Sequence, residues 1–189
     1  MCAVLVGCSH PGKESTDTAV GARDTAVAPS VATPRPAPPP PITRTMAVSF
    51  DGLGALRIGM TLDQARAAVP GFALKQGADE MACSYAATTG LPKGVSVMVE
   101  HGSVRRIDVD NASMPTDEGA RVGDTEARIR SLYPKVESMP HKYTERGHYL
   151  TVTNPADTMQ RVIFETDGSH VLRLRSGRQP QVSYVEGCS

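Results

Sequence analysis

An internal repeat is the sequence feature that most constrains the fold. Residues 57–70 align without a gap with residues 121–134, at a fixed offset of 64 positions. A tandem duplication is the simplest explanation of such self-similarity, and it predicts two copies of one helix-containing unit. Five aligned pairs are identical: Arg57/Arg121, Gly59/Gly123, Thr61/Thr125, Arg66/Arg130 and Pro70/Pro134.

The match continues into later regions of each copy. At the same offset Tyr85 aligns with Tyr149, and after a small gap residues 100–103 align with residues 165–169. The predicted repeats span residues 46–114 and 115–189. The strands that follow share three further pairs, Val104/Val171, Arg106/Arg173 and Ile107/Leu174.

Each copy is predicted to begin with a short helix. Thr61 and Gln64 have the spacing of a capping box, in which two side-chain oxygens satisfy free backbone amides at the helix start. Asp124 or Thr125 can cap the second helix. Apolar residues at i, i+3 and i+4 give each helix one buried face, and a proline ends it. The apolar positions are 65, 68 and 69 in the first copy and 129, 132 and 133 in the second.

The rest of each copy alternates apolar and polar residues, which is typical of strands with one buried face. Residues 182–186 are predicted to form a last strand. The apolar positions are Val95, Val97, Val99, Ile107 and Val109 in the first copy, and Leu150, Val152, Val162, Phe164, Leu172 and Leu174 in the second.

Such strands predict an antiparallel sheet with helices on one side and solvent on the other. The expected fold class is α+β, with two tandem helix-plus-antiparallel-sheet repeats packed into one domain. The solvated face is predicted to carry mixed charges, at Arg106, Asp108, Asp110, Arg161, Glu165, Arg173 and Arg175.

The first quarter of the chain lacks the features of a packed core. All eight aromatic residues lie after position 49, and seven of the 15 prolines lie between Pro29 and Pro41. Proline-rich sequence favours extended polyproline geometry. Residues 9–45 are therefore predicted to be a disordered linker, ahead of a folded duplicated domain at residues 46–189.

A lipidation motif stands at the N-terminus. Leu5-Val6-Gly7-Cys8 matches the bacterial lipobox, with an apolar residue three positions before the cysteine and a small one directly before it. We expect Cys8 to be lipidated and residues 1–8 to be an incomplete signal segment. Ser9, in place of Asp, resembles an outer-membrane sorting signal. The alternative is that Cys2 and Cys8 are ordinary thiols in an unstructured tail.

The two remaining cysteines are Cys83 and Cys188. In an exported protein they are expected to form a disulfide, which would pin the C-terminal end to the first half of the domain. The alternative is a pair of buried free thiols. A catalytic thiol is disfavoured, because no histidine lies near Cys188 in the sequence.

Charge and motifs argue against several functions. The 20 basic and 20 acidic residues cancel, so the clustered positive charge that nucleic-acid binding needs is missing. No run of about 18 apolar residues occurs, so membrane attachment is expected through the lipid anchor only.

Catalytic and metal-binding motifs are also missing: the sequence has no nucleophile elbow, P-loop or zinc spacing, so we predict no enzyme activity, metal or cofactor. Glu165, Asp167 and His170 are the nearest candidates for a metal or acid–base site. However, Asp167-Gly168 is typical of a hairpin turn. His101-Gly102 marks the equivalent turn in the first copy.

A recognition surface is predicted in the second copy, where Pro140-His141-Lys142-Tyr143 has no counterpart in the first. Tyrosine and histidine combine apolar area with a hydrogen-bonding tip, as interaction surfaces require. The alternative is an exposed connection whose tyrosine covers the sheet edge. The predicted binding residues are His141, Lys142, Tyr143, His148, Tyr149, Arg173 and Arg175.

Several of these features together resemble a group of predicted periplasmic lipoproteins of Gram-negative bacteria, some of them provisionally labelled lectins. They are the lipobox, the proline-rich linker, the doubled Gly-x-Thr helix start, the PHKY segment and the terminal YVEGC. Two tandem helix-plus-sheet units are also similar to the beta-lactamase-inhibitor protein. Gly59-Met60-Thr61 resembles the helix start of small outer-membrane assembly lipoproteins.

The resemblance implies binding rather than catalysis. We expect a periplasm-facing protein, lipid-anchored to the outer membrane, that binds a periplasmic or envelope protein as an inhibitor, immunity factor or assembly accessory would. The alternative is a lectin-like module that binds envelope glycans.

Overall fold

The computed structural model describes residues 46–75 and 78–188. Cys8 and the predicted linker, residues 9–45, lie outside the described residues. The described part contains an eight-stranded and a three-stranded antiparallel sheet with two α-helices, which confirms the α+β class. No helix among the described residues is long and apolar enough to cross a membrane.

The strands of both halves join one large sheet. The first half supplies β4 (Ala73–Leu74), β5 (Ser84–Ala87), β6 (Val95–Glu100) and β7 (Ser103–Val109). The second half supplies β8 (Glu137–Pro140), β9 (His148–Thr153), β10 (Gln160–Thr166) and β11 (Val171–Arg178). The order is β4-β5-β6-β7-β11-β10-β9-β8, so β7 and β11 are paired at the centre. The small sheet comprises β1 (Val48–Ser49), β2 (Gly52–Leu53) and β3 (Leu56–Arg57).

The two helices are α1 (Leu62–Ala68) and α2 (Glu126–Leu132). The predicted capping box of α1 is confirmed: Thr61 Oγ1 accepts a bond from the Gln64 N–H at 3.3 Å, and Gln64 Oε1 accepts one from the Thr61 N–H at 2.9 Å. Thr125, one of the two candidates, caps α2. Each helix ends two residues before its proline, because the residue that directly precedes a proline is pushed out of helical geometry.

Both helices are held to the large sheet by the same backbone bonds. The Gly59 N–H donates to the Val104 carbonyl at 2.7 Å, and the Gly123 N–H donates to the Val171 carbonyl at 2.8 Å. The two glycines have φ angles of 90° and 91°, a region that side chains disfavour. The glycine that precedes each helix is therefore required by the turn that docks it.

The main core lies between the helices and the large sheet. Ala65 of α1 and Ile129 of α2 are fully buried in it. The strands contribute Val97, Val99, Ile107, Val109, Leu150, Val162, Phe164 and Leu174. These positions agree with the predicted alternation.

Leu172 is an exception, and its predicted burial is wrong. It is 49% exposed, whereas Val171 and Leu174 are buried. Glu165 pairs with Arg173 and Thr166 pairs with Val171, so residue 172 is an extra residue in the ladder. Such a β-bulge shifts the alternation by one position.

The opposite face of the sheet is also covered, by residues 179–188, which we call the C-terminal strap. The prediction of a solvated face is therefore wrong for Arg106, Asp108 and Arg175, which are 2%, 8% and 2% exposed. The predicted last strand is wrong as well, because Gln181–Ser183 form a turn of 3-10 helix. Under the strap, Tyr149, Ile163 and Val182 form a second, small hydrophobic cluster.

The predicted disulfide between Cys83 and Cys188 is confirmed. Cys83 directly precedes β5, and Cys188 is the last described residue of the strap. The bond ties the end of the strap to the first half of the sheet.

Candidate binding surface

Arg106 fixes the strap to the sheet. Its Nε donates to Asp108 Oδ2 at 2.9 Å and its Nη2 donates to the Tyr85 hydroxyl at 3.0 Å. Nη1 donates to two strap carbonyls, those of Gln181 at 3.0 Å and Tyr184 at 2.6 Å. A buried guanidinium is stable only when its donors are matched in this way. Arg106 is thus a structural residue of the strap face.

A second buried set surrounds Tyr149. His141 stacks on its ring with centroids 4.6 Å apart, and the Arg175 guanidinium lies 5.4 Å from the ring centroid. Glu165 joins the two flanking groups, with Oε1 3.1 Å from His141 Nε2 and Oε2 3.3 Å from Arg175 Nη1. Burial, together with the nearby Arg106, lowers the pKa of Arg175. Tyr149, Arg175 and most of His141 are therefore inaccessible to a partner, contrary to their prediction as binding residues.

The loop between β8 and β9 is shaped by His141. Its Nδ1 accepts bonds from the backbone N–H groups of Tyr143 and Thr144, both at 3.0 Å. Because Nδ1 is an acceptor, the ring proton lies on Nε2 and is donated to Glu165. The histidine thus acts inside the loop, as a link between two backbone amides and the sheet.

Tyr143 stands out from this loop, with 63% of its surface exposed. Its hydroxyl donates to the Glu186 carboxylate on the strap, and Lys142 Nζ lies 2.8 Å from the same carboxylate. Lys142 Nζ is also 5.0 Å from the Tyr143 ring centroid. The hydrogen bond to Glu186 raises the pKa of Lys142, and the bond from Lys142 lowers the pKa of Glu186. We call Lys142, Tyr143 and Glu186 the Tyr143 patch.

His148 does not belong to this surface. It precedes Tyr149 in β9, so its side chain points to the helix side of the sheet. There its Nδ1 lies 2.7 Å from Glu126 Oε1 at the start of α2. Of the seven predicted binding residues, only Lys142, Tyr143 and Arg173 are exposed.

Arg173 lines a separate polar groove between the strap and the ends of the central strands. The groove has a volume of about 220 Å³. Sequence reasoning missed it, because the strap that forms one wall was expected to be a strand. Its polar lining consists of Tyr85, Ser96, Arg106, Asp108, Asp110, Arg173 and Glu186.

The candidate acid–base or metal cluster is a turn. Asp167 Oδ1 accepts bonds from the N–H groups of Ser169 and His170, both at 2.8 Å, and these bonds lower the pKa of Asp167. Gly168 has a φ of 95°, as the predicted hairpin turn requires. Glu165 is occupied by His141 and Arg175. Across residues 46–75 and 78–188, no three acidic, histidine or cysteine side chains are grouped to hold a metal ion.

Neither a family model nor a curated protein matches the chain. One similar structure is the uncharacterized protein yfeY from Escherichia coli, with a TM-score of 0.47 and 15% identity over 70% of this chain and 100% of that chain. Another is an extracellular protein containing an SCP domain from Bacillus anthracis, with a TM-score of 0.44 and 8% identity over 78% of this chain and 50% of that chain. Similarity at this level carries no functional argument.

Proposed function

We propose that this chain is a non-enzymatic, lipid-anchored envelope protein that binds a protein partner, as an inhibitor, immunity factor or assembly accessory does. The observation that carries the proposal is the Tyr143 patch, where an exposed aromatic ring is held in place before any partner arrives. Exposed tyrosines that are rigid lose little entropy on binding, which is why they are frequent hot spots at interfaces.

Three separate contacts restrain Tyr143. Its N–H is bonded to His141, its hydroxyl is bonded to Glu186, and Lys142 packs over its ring. His141 is itself held by Glu165 and by stacking on Tyr149. The ring is thus supported from the sheet outward, which lowers the ordering cost of binding.

The proposal is tested by capture from envelope extracts, followed by affinity measurement with the purified partner. Wild-type protein should recover a partner that the Tyr143→Ala variant does not, with an affinity loss of about 30-fold or more. Tyr143→Phe, which keeps the ring and removes the bond to Glu186, should lose less. Met159→Ala, at an exposed apolar residue elsewhere, is the matched control and should bind normally.

Equal recovery by wild type and Tyr143→Ala would contradict the proposal, provided that both proteins have the same melting temperature. Recovery of no protein, together with binding on a glycan array, would favour the second candidate function. That candidate is a lectin-like module, and the exposed Tyr143 ring favours it because sugars stack on such rings. Of the two tyrosines among the predicted binding residues, Tyr149 is buried, so only Tyr143 is open to a sugar.

We also infer a tandem duplication within the domain. It is supported by the matched backbone bonds of Gly59 and Gly123, and by the pairing of Asp108 with Arg175 at the centre of the sheet. These last two residues are equivalent under the offset of the Val104/Val171 match, and they lie opposite each other, as an approximate two-fold axis requires. In an experimental structure the two halves should superpose element by element; a different element order would contradict the duplication.

The lipid anchor is a separate part of the proposal, and it rests on the lipobox and on the resemblance to predicted Gram-negative lipoproteins. Outer-membrane attachment facing the periplasm follows from it. The full chain, expressed with a labelled fatty acid in a Gram-negative host, should carry the label, and Cys8→Ser should abolish it. Retention of the label in Cys8→Ser, with Cys2→Ser as the control, would refute attachment at Cys8.

A further inference from the structure

The polar groove beside the strap is lined by an aspartate with one carboxylate oxygen that has no partner in the fold. Asp108 lines the groove and is only 8% exposed. Its Oδ2 accepts the bond from Arg106, whereas its Oδ1 has no hydrogen-bond partner among the described residues. Buried polar atoms are nearly always hydrogen-bonded, so this oxygen is an exception. It is closed to solvent, and its negative charge favours a cation held in the groove beside it.

Two unmatched charges of opposite sign lie beside Asp108. Asp110 and Arg173 both line the groove, and within residues 46–75 and 78–188 neither side chain forms a hydrogen bond or an ion pair. Val109 pairs with Leu174 at one end of the antiparallel β7–β11 pairing. Asp110 follows Val109 and Arg173 precedes Leu174, so the two residues lie at that same end. The groove thus offers one free carboxylate and one free guanidinium close together.

Neutral hydroxyl groups complete the lining. The Tyr85 hydroxyl accepts a bond from Arg106 and can donate its own proton. Burial, followed by the nearby Asp108, raises the pKa of Tyr85, so the hydroxyl keeps that proton at neutral pH. Ser96 adds a hydroxyl that can donate or accept. Glu186 is already occupied by Lys142 and Tyr143.

The polar groups on the rest of the strap face are mostly matched, unlike those of the groove. There, Glu165 and His141 are matched to partners within the fold, and Arg175 Nε is a buried donor without a partner among the described residues. Only the groove combines unmatched donors and unmatched acceptors of both charges among the described residues of this face. Its volume of about 220 Å³ lies below the range of about 300–1,000 Å³ for drug-sized ligands, so it suits a small molecule or a chain end.

We propose that this groove binds the zwitterionic ammonium and carboxylate groups of an amino acid. The carboxylate of the ligand is held by the Arg173 guanidinium, which can donate two parallel bonds to it. The ammonium donates to the exposed Asp110, and the negative charge of the neighbouring Asp108 attracts it to the same side of the groove. Tyr85 and Ser96 supply the remaining polar contacts.

The test uses the full chain, with binding followed by calorimetry and by amide chemical shifts. The probes are alanine, which carries both charges; alaninamide, which lacks the carboxylate; and N-acetylalanine, which lacks the ammonium. Alanine should bind at the groove about tenfold or more tightly than either single-charge analogue, since bonds to charged groups are the stronger ones. The dipeptide Ala-Ala, in which the two charges are farther apart, distinguishes a free amino acid from a peptide as the source of the ligand.

Two variants assign each charge to its residue. Arg173→Gln should remove the preference for alanine over alaninamide, and Asp110→Asn should remove the preference for alanine over N-acetylalanine. Both residues are exposed, so neither change should alter folding. Glu137→Gln, an exposed carboxylate on β8, is the control and should leave binding unchanged.

Three outcomes would overturn the proposal. They are the absence of saturable binding by alanine and by Ala-Ala, equal binding of the two single-charge analogues and alanine, and binding that survives both variants. Saturable binding of glucose at the groove, with no binding of alanine, would likewise reject a zwitterion site.

Discussion

The two faces of the large sheet are buried by different physical means. On the helix face, α1 and α2 cover a continuous apolar surface in which Ile107, Phe164 and Leu174 are fully buried. On the strap face, the apolar cluster is small, and the strap is held by hydrogen bonds from Arg106, by the Tyr143 patch and by the disulfide.

The helix face is therefore expected to tolerate the loss of one contact better than the strap face, which depends on a few single links. Apolar burial is non-directional and roughly proportional to area, so the helix face is stabilised by many small contributions. Hydrogen bonds and a disulfide act at single points, and losing one leaves its buried partner unmatched. The strap face also carries both candidate binding features, the Tyr143 patch and the polar groove.

We expect the largest loss of stability from a core substitution on the helix face, and a smaller loss from its neighbour on the strap face. Phe164→Ala should lower the free energy of unfolding by about 3–5 kcal/mol, because it opens a cavity in the main core. Ile163→Ala, in the small cluster under the strap, should cost less, since the strap can move to fill the space. Denaturant unfolding of both variants measures the difference. Equal losses would mean that the two faces are packed equally well.

The next effect tests how far the strap depends on its covalent link. Replacing Cys83 and Cys188 together by alanine should lower the free energy of unfolding by about 2–4 kcal/mol, because the bond closes a loop of 105 positions. Hydrogen exchange should increase in the strap and in β5, and much less in α1 and α2. Reduced wild-type protein is the matched control and should behave like the double variant.

If protection falls uniformly in that experiment, the strap and the main core unfold as one unit. The contrast between the two faces would then be wrong. The same measurement bears on the groove, since Val185, Glu186 and Gly187 form its strap wall.

The helix face was largely predictable from the sequence, because its signals are local. The Thr61–Gln64 spacing predicts the capping box, and Gly59 and Gly123 mark the turns before the helices. Alternating residues predict which side chains share a face. They do not predict a bulge, which is why the pattern failed at Leu172.

The strap face was not predictable, because alternation says nothing about what covers a polar face. Arg106 and Arg175 lie on the polar side of their strands, a side that is normally exposed to water. Arg106 is buried by the strap, whose carbonyls accept its bonds from 75 and 78 positions farther along the chain. One signal of a covered face was available in the sequence: Met98 is an apolar residue on the polar side of β6. In the structure Met98 is fully buried. The histidine-tyrosine segment pointed to the candidate binding surface, although its exposed part is smaller than predicted.

The smallest effect tests whether directional bonds also matter on the helix face. The Glu126 carboxyl is largely buried, and burial alone would raise its pKa. Hydrogen bonds from Thr166 and His148 outweigh burial, so the pKa lies below its ordinary value of 4.5. A lowered pKa in the folded state stabilises the protein above the unfolded-state pKa, and this contribution is lost as the pH falls through the folded-state pKa. In denaturant unfolding, wild type should exceed Glu126→Gln by about 1 kcal/mol at pH 6, and the difference should shrink as the pH falls below 4.5. Glu137→Gln, at an exposed carboxylate, should show no such difference. A pH-independent gap for Glu126→Gln would mean that the side chain acts through packing, and that charge plays no part in holding α2 to the sheet.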